Sequence, residues 1–133
     1  MAPRIEVPVG ELLDKITILE IKAERIADPA KAANVRAELD CLQAAWAASP
    51  LSARDVSGQL ARLKAVNEEL WDIEDGLRAL EAARSFGEEF VRLARAVYHR
   101  NDERAAIKRE LNRLLGSRLV EEKSYTDYRR GGA

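Results

Sequence analysis

The chain has 133 residues, the length of a single domain, enough to bury a core without a metal or disulfide staple. Its 22 basic and 23 acidic side chains nearly cancel at a net −1, which lacks the positive excess of a nucleic-acid binder. One cysteine, Cys41, and one histidine, His99, exclude an intrachain disulfide and fall short of the about four ligands of a zinc site, so no metal and no cofactor are expected.

The opening MAPRIEVPVGELL has no long apolar run and no cleavage signature, and no window approaches the ~20 apolar residues of a membrane span. The expected setting is the reducing cytoplasm, with no membrane partner. The common nucleotide, zinc-protease and serine-hydrolase signatures are absent.

Residues 9–27 predict the first helix, because Val9, Leu12, Leu13, Ile16, Leu19, Ala23 and Ile26 recur in steps of three and four. Ile18 and Ile21 fall on a second face, which suits a central helix or one shared with a partner chain. Asp28-Pro29 ends this helix and starts the next, with Asp28 as cap and Pro29 at the first helical position. Helix two runs to about Ala48 and turns Val35, Leu39, Leu42 and Trp46 inward. In SPLSARD, Ser52 and Asp55 read as a capping box and Leu51 with Val56 as a hydrophobic staple.

Helix three is predicted over roughly 53–84. Val56, Leu63, Val66, Leu70, Ile73, Leu77 and Leu80 make a coiled-coil-like seam, interrupted once by Gln59. Its length is about 45 Å, long for so small a domain. Gly76 inside it costs about 1 kcal/mol against Ala, which a close backbone approach would explain. Ser85 and Glu88 read as a second capping box, opening helix four at Phe86. Phe86, Phe90, Leu93 and Val97 form its inner stripe; Ile107, Leu111, Leu114 and Leu115 resume it; Gly116 suits the position just past its end. The fold class is therefore all-α, about four helices in antiparallel hairpins, with one domain over 1–128 and a loose tail at 129–133. Two apolar faces on helix one and the length of helix three predict a homodimer.

Between the two halves of the fourth stripe lie His99, Arg100, Asn101, Asp102, Glu103 and Arg104. A break with Asn101 as a new cap is the favoured reading. If the helix continues, Arg100, Arg104 and Lys108 align at i, i+4 and i+8, where like charges repel unless acids or a bound anion offset them. Glu20, Glu24, Asp72, Glu74 and Asp75 are the acids expected to face them in an internal ion-pair network. The competing reading is a site for a phosphate or carboxylate, to which planar guanidinium groups are suited. His99 reads as a junction residue more than a general base. In LWDIED, Trp71 reads as a rim residue, and Asp72 and Asp75 as solvated acids rather than Mg²⁺ ligands. Asp14 and Lys15 read as surface charges.

GELLDKITILEIKAERI, NVRAEL, LWDIEDGLRALE, NDERAAIK and EEKSYTDY, in this order from Ile5 to Tyr128, resemble an uncharacterised bacterial family catalogued as domain of unknown function 6165. The resemblance implies no established activity, and it implies a link to cell-surface carbohydrate enzymes through context alone. It singles out Asp14, Lys15, Glu20, Lys22, Trp71, Asp72, Asn101, Asp102, Glu103, Arg104, Lys123 and Tyr125. The helical chorismate mutases are similar in placing cations among core helices, but Asp28-Pro29 interrupts the first helix and the cation spacing departs from theirs. Two function classes follow: a non-enzymatic interaction module with a protein partner, or an anion-binding enzyme or sensor built on Arg100, Arg104 and Lys108.

Overall fold

A computed structural model describes residues 2–129. They form α1 (Val9–Arg25), α2 (Pro29–Ala48), α3 (Ser57–Ala82) and α4 (Glu88–Leu115), with a short 3-10 turn at Pro50–Ala53 and no strand among the described residues. The chain is all-α. None of these helices is long and apolar enough to cross a membrane.

The helical stripes meet in one cluster. Leu13, Ile16 and Leu19 of α1, Leu39 of α2, Leu63, Val66 and Leu70 of α3, and Ile107, Leu111 and Leu115 of α4 are buried together. Val35, Leu42 and Trp46 of α2 pack against it, half-buried. α1 touches all three other helices. Its second apolar face is covered within the chain, since Ile21 is 1% exposed and Ile18 half-buried. One of the two grounds for a homodimer is thereby removed.

Along α3 and α4, Gln59 and Arg62 meet Glu110, Glu69 meets Arg100, and Gly76 meets Leu93. Residue numbers rise along one helix as they fall along the other. A Cβ on Gly76 would lie 3.1 Å from Leu93 Cδ1, the close approach that accounts for this glycine. Beyond Leu70 the pair outruns α1: Ile73, Leu77, Leu80, Phe90, Leu93 and Val97 are only half-buried, and Phe86, expected inside, is half exposed.

Three local expectations are corrected. α4 does not break near Asn101; it is one helix of 28 residues. Ser85 does not cap α4. Its amide donates to the Leu80 carbonyl across Arg84, which sits at φ 53, so Ser85 serves the C-terminus of α3 and α4 starts after Gly87. Ser52 does not cap α3 either. Its hydroxyl donates to the Ala47 and Ser49 carbonyls, while Asp55 accepts from the Ser57 amide and hydroxyl.

The start of α1 positions the site. Pro8 precedes it and offers no side-chain acceptor to the first amides. Val9 N–H donates instead to Ser117 Oγ at 3.1 Å and Gly10 N–H to Asn112 Oδ1 at 2.7 Å. Gly116, left-handed at φ 64, turns the chain after α4 so that Ser117 reaches back. The two helices touch at Gly10, where a Cβ would lie 2.5 Å from the Lys108 carbonyl oxygen. After Gly116 the chain runs without regular structure to Arg129, which pairs with Asp102 at 3.5 Å. The remainder of the expected loose tail, residues 130–133, lies outside the described residues.

Gly10→Ala is expected to lose roughly 1–3 kcal/mol, because backbone must move to admit the methyl group. Gly58→Ala, with nothing within 4 Å of its added Cβ, is expected to hold or gain up to about 1 kcal/mol in the same urea titration. Equal losses at the two positions would refute the close α1–α4 approach.

Candidate functional site

The centre of the site is Asp14, which sequence reading placed on the surface. It faces inward with Leu13 and Thr17 on α1 and is 0% exposed. A carboxylate so far from water persists only if its oxygens are fully bonded. Arg104 supplies Nε to Oδ1 at 3.0 Å and Nη2 to Oδ2, a two-pronged grip. Asn67 Nδ2 of α3 donates to the same Oδ1 at 2.9 Å and to Thr17 Oγ1 at 3.0 Å. Thr17 in turn donates to the Asp14 carbonyl. No buried side-chain nitrogen or oxygen among the described residues lacks a partner.

One turn further along α4, the Lys108 ammonium donates to Glu11 Oε2 at 2.7 Å and Glu121 Oε1 at 3.2 Å, and stands 4.0 Å from Asp14 Oδ2. One turn earlier, Arg100 meets Glu103 at 2.8 Å and Glu69 at 3.5 Å. The three aligned cations are thus each matched to acids. That offsets the like-charge repulsion expected of a continuous helix, so no break at an Asn101 cap is needed. The acids differ from those expected: Glu24 pairs with Lys64 and Asp72 with Arg25, while Asp14, Glu11, Glu121, Glu69 and Glu103 hold the cations.

Lys108 and Arg104 are held above their ordinary pKa values. For Arg104 the bonds to Asp14 lead. For Lys108 burial opposes the charge most strongly, and Glu11, Asp14 and Glu121 together outweigh it.

The other expected residues divide into two places. Asn101, Asp102, Glu103, Lys123 and Tyr125 line a groove of about 1110 Å³ between α4 and the C-terminal segment, with Arg104 and Lys108 on its floor. Tyr128 closes one end, donating its hydroxyl to Asp102 Oδ2 at 2.6 Å and standing 3.3 Å from His99 Nδ1. That bond to Asp102 raises the Tyr128 pKa. Lys123 lies 6.0 Å from the Tyr125 ring centre. Trp71 and Asp72 belong elsewhere, at the end of α1: Arg25 stands 5.7 Å from the Trp71 ring centre and bonds Asp72 at 2.6 Å. Lys15 is an exposed partner of Glu11 at 3.9 Å. No group of three or more His, Cys, Asp or Glu side chains is placed to hold a metal among the described residues.

Sequence reading missed Thr17, Asn67, Asn112, Glu11, Glu121 and Tyr128. Thr17, Asn67 and Asn112 carried a signal, since each is a small polar residue directly beside a buried aliphatic: Ile16, Val66 and Leu111.

The chain belongs to a family of unknown function (DUF6165), whose model matches residues 3–129. No curated protein and no solved structure matches the chain.

A raised lysine pKa fixes the sign of a pH dependence. The folded state holds its proton more tightly than the unfolded state. The stabilisation is therefore complete below the ordinary value of 10.5 and is lost as pH rises through the higher folded value. Urea stability is expected to fall across that alkaline window, and Lys108→Met is expected to flatten the fall. Tyr128 contributes with the same sign, so Tyr128→Phe is the companion variant. A wild-type profile no steeper than that of Lys108→Met would refute the role of this ammonium.

Proposed function

We propose that the protein is a non-enzymatic interaction module. The observation that carries this reading is the internal neutralisation of Arg104 by the fully buried Asp14. A receptor for a phosphate or carboxylate needs guanidinium and ammonium groups that the protein leaves uncompensated in the free state. Here both prongs of Arg104 are taken by Asp14, and the Lys108 ammonium is shared between Glu11 and Glu121. Asp14 itself is closed to solvent and tied to Asn67 and Arg104, which is poor placement for a general base. The network supports a role as scaffold, with partner contact on the surfaces it shapes. A setting in cell-surface carbohydrate metabolism is proposed from the sequence resemblance alone. Self-association rests on the far end of the α3–α4 pair, where Phe86 and Val91 are each 51% exposed. Light scattering that returns twice the 14.9 kDa chain mass would support it, and a return of the chain mass would remove it.

Arg104→Ala separates scaffold from receptor by sign. As scaffold, the change strands the Asp14 carboxylate and is expected to cost roughly 1–3 kcal/mol in phosphate-free buffer. Asp14→Asn in the same background is expected to restore part of that loss. As one of three mutually repelling cations in an empty anion site, Arg104 would instead be destabilising. A single variant that melts above wild type would overturn the proposal.

A further inference from the structure

We propose that residues 119–129 form a strap that closes on α4 and opens from it as a unit separate from the helical core, with Tyr128 as its latch.

The closed state is specific at its two ends. At the root, Ser117 N–H donates to the Asn112 carbonyl, the Ser117 hydroxyl accepts from Val9 N–H, and Arg118 pairs with Glu6. At the far end, the Tyr128 hydroxyl donates to Asp102 Oδ2 at 2.6 Å and lies 3.3 Å from His99 Nδ1. Its ring centre stands 4.7 Å from that of Tyr98 and 4.9 Å from that of His99. Arg129 adds an ion pair to the same Asp102 at 3.5 Å and stands 5.0 Å from the Tyr128 ring centre. A hydroxyl on a carboxylate, with three rings in contact, selects one seat for this side chain. Between the two ends only Glu121 bonds a helix, through Lys108, among the described residues.

Opening costs little by comparison. No described residue beyond Leu115 is buried, and the strap adds nothing to the apolar cluster. From Val120 to Tyr128 no backbone N–H or C=O takes part in a backbone hydrogen bond among the described residues. Lifting the strap therefore breaks side-chain contacts alone. It also strands no buried charge: Lys108 keeps Glu11 at 2.7 Å, and the Asp102 side chain, already 35% exposed, passes to water. A segment with so few buried contacts opens locally at a free energy well below that of the whole fold. Closed, the strap walls the groove over Arg104 and Lys108; open, it leaves Tyr98, Asp102 and Arg104 on a bare face of α4. In an interaction module this opening is the step that offers the face to a partner, while the motion itself does not rest on that reading.

The test compares the ¹⁵N-labelled full chain with Tyr128→Ala and Asp102→Ala, which remove the latch from its two sides. Heteronuclear NOE values over residues 119–129 report closure, trypsin cleavage after the exposed Lys123 reports opening, and the urea midpoint reports the core. Wild-type NOE values are expected close to those of α4, with slow cleavage after Lys123 while the helices stay intact. Both variants are expected to lower the NOE values of the strap and to keep the urea midpoint. They should speed the cleavage by about tenfold or more, the population change that loss of one hydrogen bond to a charged group brings. Wild-type NOE values as low as those of a free tail overturn the closed state. Cleavage that Tyr128→Ala fails to accelerate overturns the latch. A urea midpoint that falls in step with faster cleavage overturns the separation of strap from core, because opening would then be global unfolding.

Discussion

A carboxyl group with no exposure to water sits at the meeting point of three helices, and the rest of the structure is arranged around satisfying its two oxygens. Desolvating an ionised side chain costs several kcal/mol even after relaxation, so Asp14 is tolerable only because three hydrogen bonds from Asn67 and Arg104 reach its two oxygens and a third group, Lys108, adds field. Each donor comes from another element: Asn67 from α3, Arg104 and Lys108 from α4. The apolar cluster brings these helices together without directional preference. The polar centre adds direction, since Asp14 is satisfied in one mutual placement of α1, α3 and α4.

The same network reaches the surface. Lys108 joins Glu11 of α1 to Glu121 of the C-terminal segment, and Asn112 and Ser117 supply the caps that Pro8 withholds from α1. Thus the N-terminal turn of α1, the end of α4 and the segment beyond it form one hydrogen-bonded unit. The groove is walled by that segment on one side and floored by Arg104 and Lys108 on the other. Its shape is coupled to the core through Arg104, which grips Asp14, and Lys108, which bonds Glu121 of the segment.

The sequence showed the helices and most of their buried faces, because period-three-and-four spacing is a local signal: Leu13, Ile16, Leu39, Leu63, Leu70, Ile107 and Leu111 are buried where their spacing placed them. Gly116 was legible for the same reason, as a left-handed end is a property of one residue. What failed depended on distant partners. The run Arg100, Arg104, Lys108 looked costly in one helix because the acids that offset it lie as far away as Asp14, ninety positions earlier. Ser85 looked like a cap until the α3 terminus claimed its amide. Asp14 looked solvated because an acid's burial is decided by what faces it. The site was half legible: Arg104, Lys108, Asp102, Lys123 and Tyr125 were singled out, and Asp14 with them through the family resemblance alone, but the spacing of charges read Asp14 as a surface acid, and Trp71 and Asp72 lie elsewhere.

Replacing a buried ion pair with apolar residues often stabilises a fold, so stability alone is a weak reason for Asp14 and Arg104. Register is a better one. Facing positions on α1 and α4 run Gly10 with Asn112, Glu11 with Lys108, and Asp14 with Arg104, one turn of α4 per step. The three contacts have different chemistry: an amide oxygen on a backbone N–H, an ammonium on an exposed-edge carboxylate, and a guanidinium on a buried one. A slide of α4 by one turn would still offer Asp14 a cation in Lys108. It would also bring Asn112 against Glu11 and strip the cap from Gly10, where the backbones admit no side chain between them. An all-leucine seam would tolerate such a slide. The polar ladder penalises it at each rung, and so fixes where Arg104 and Lys108 emerge beneath the C-terminal segment.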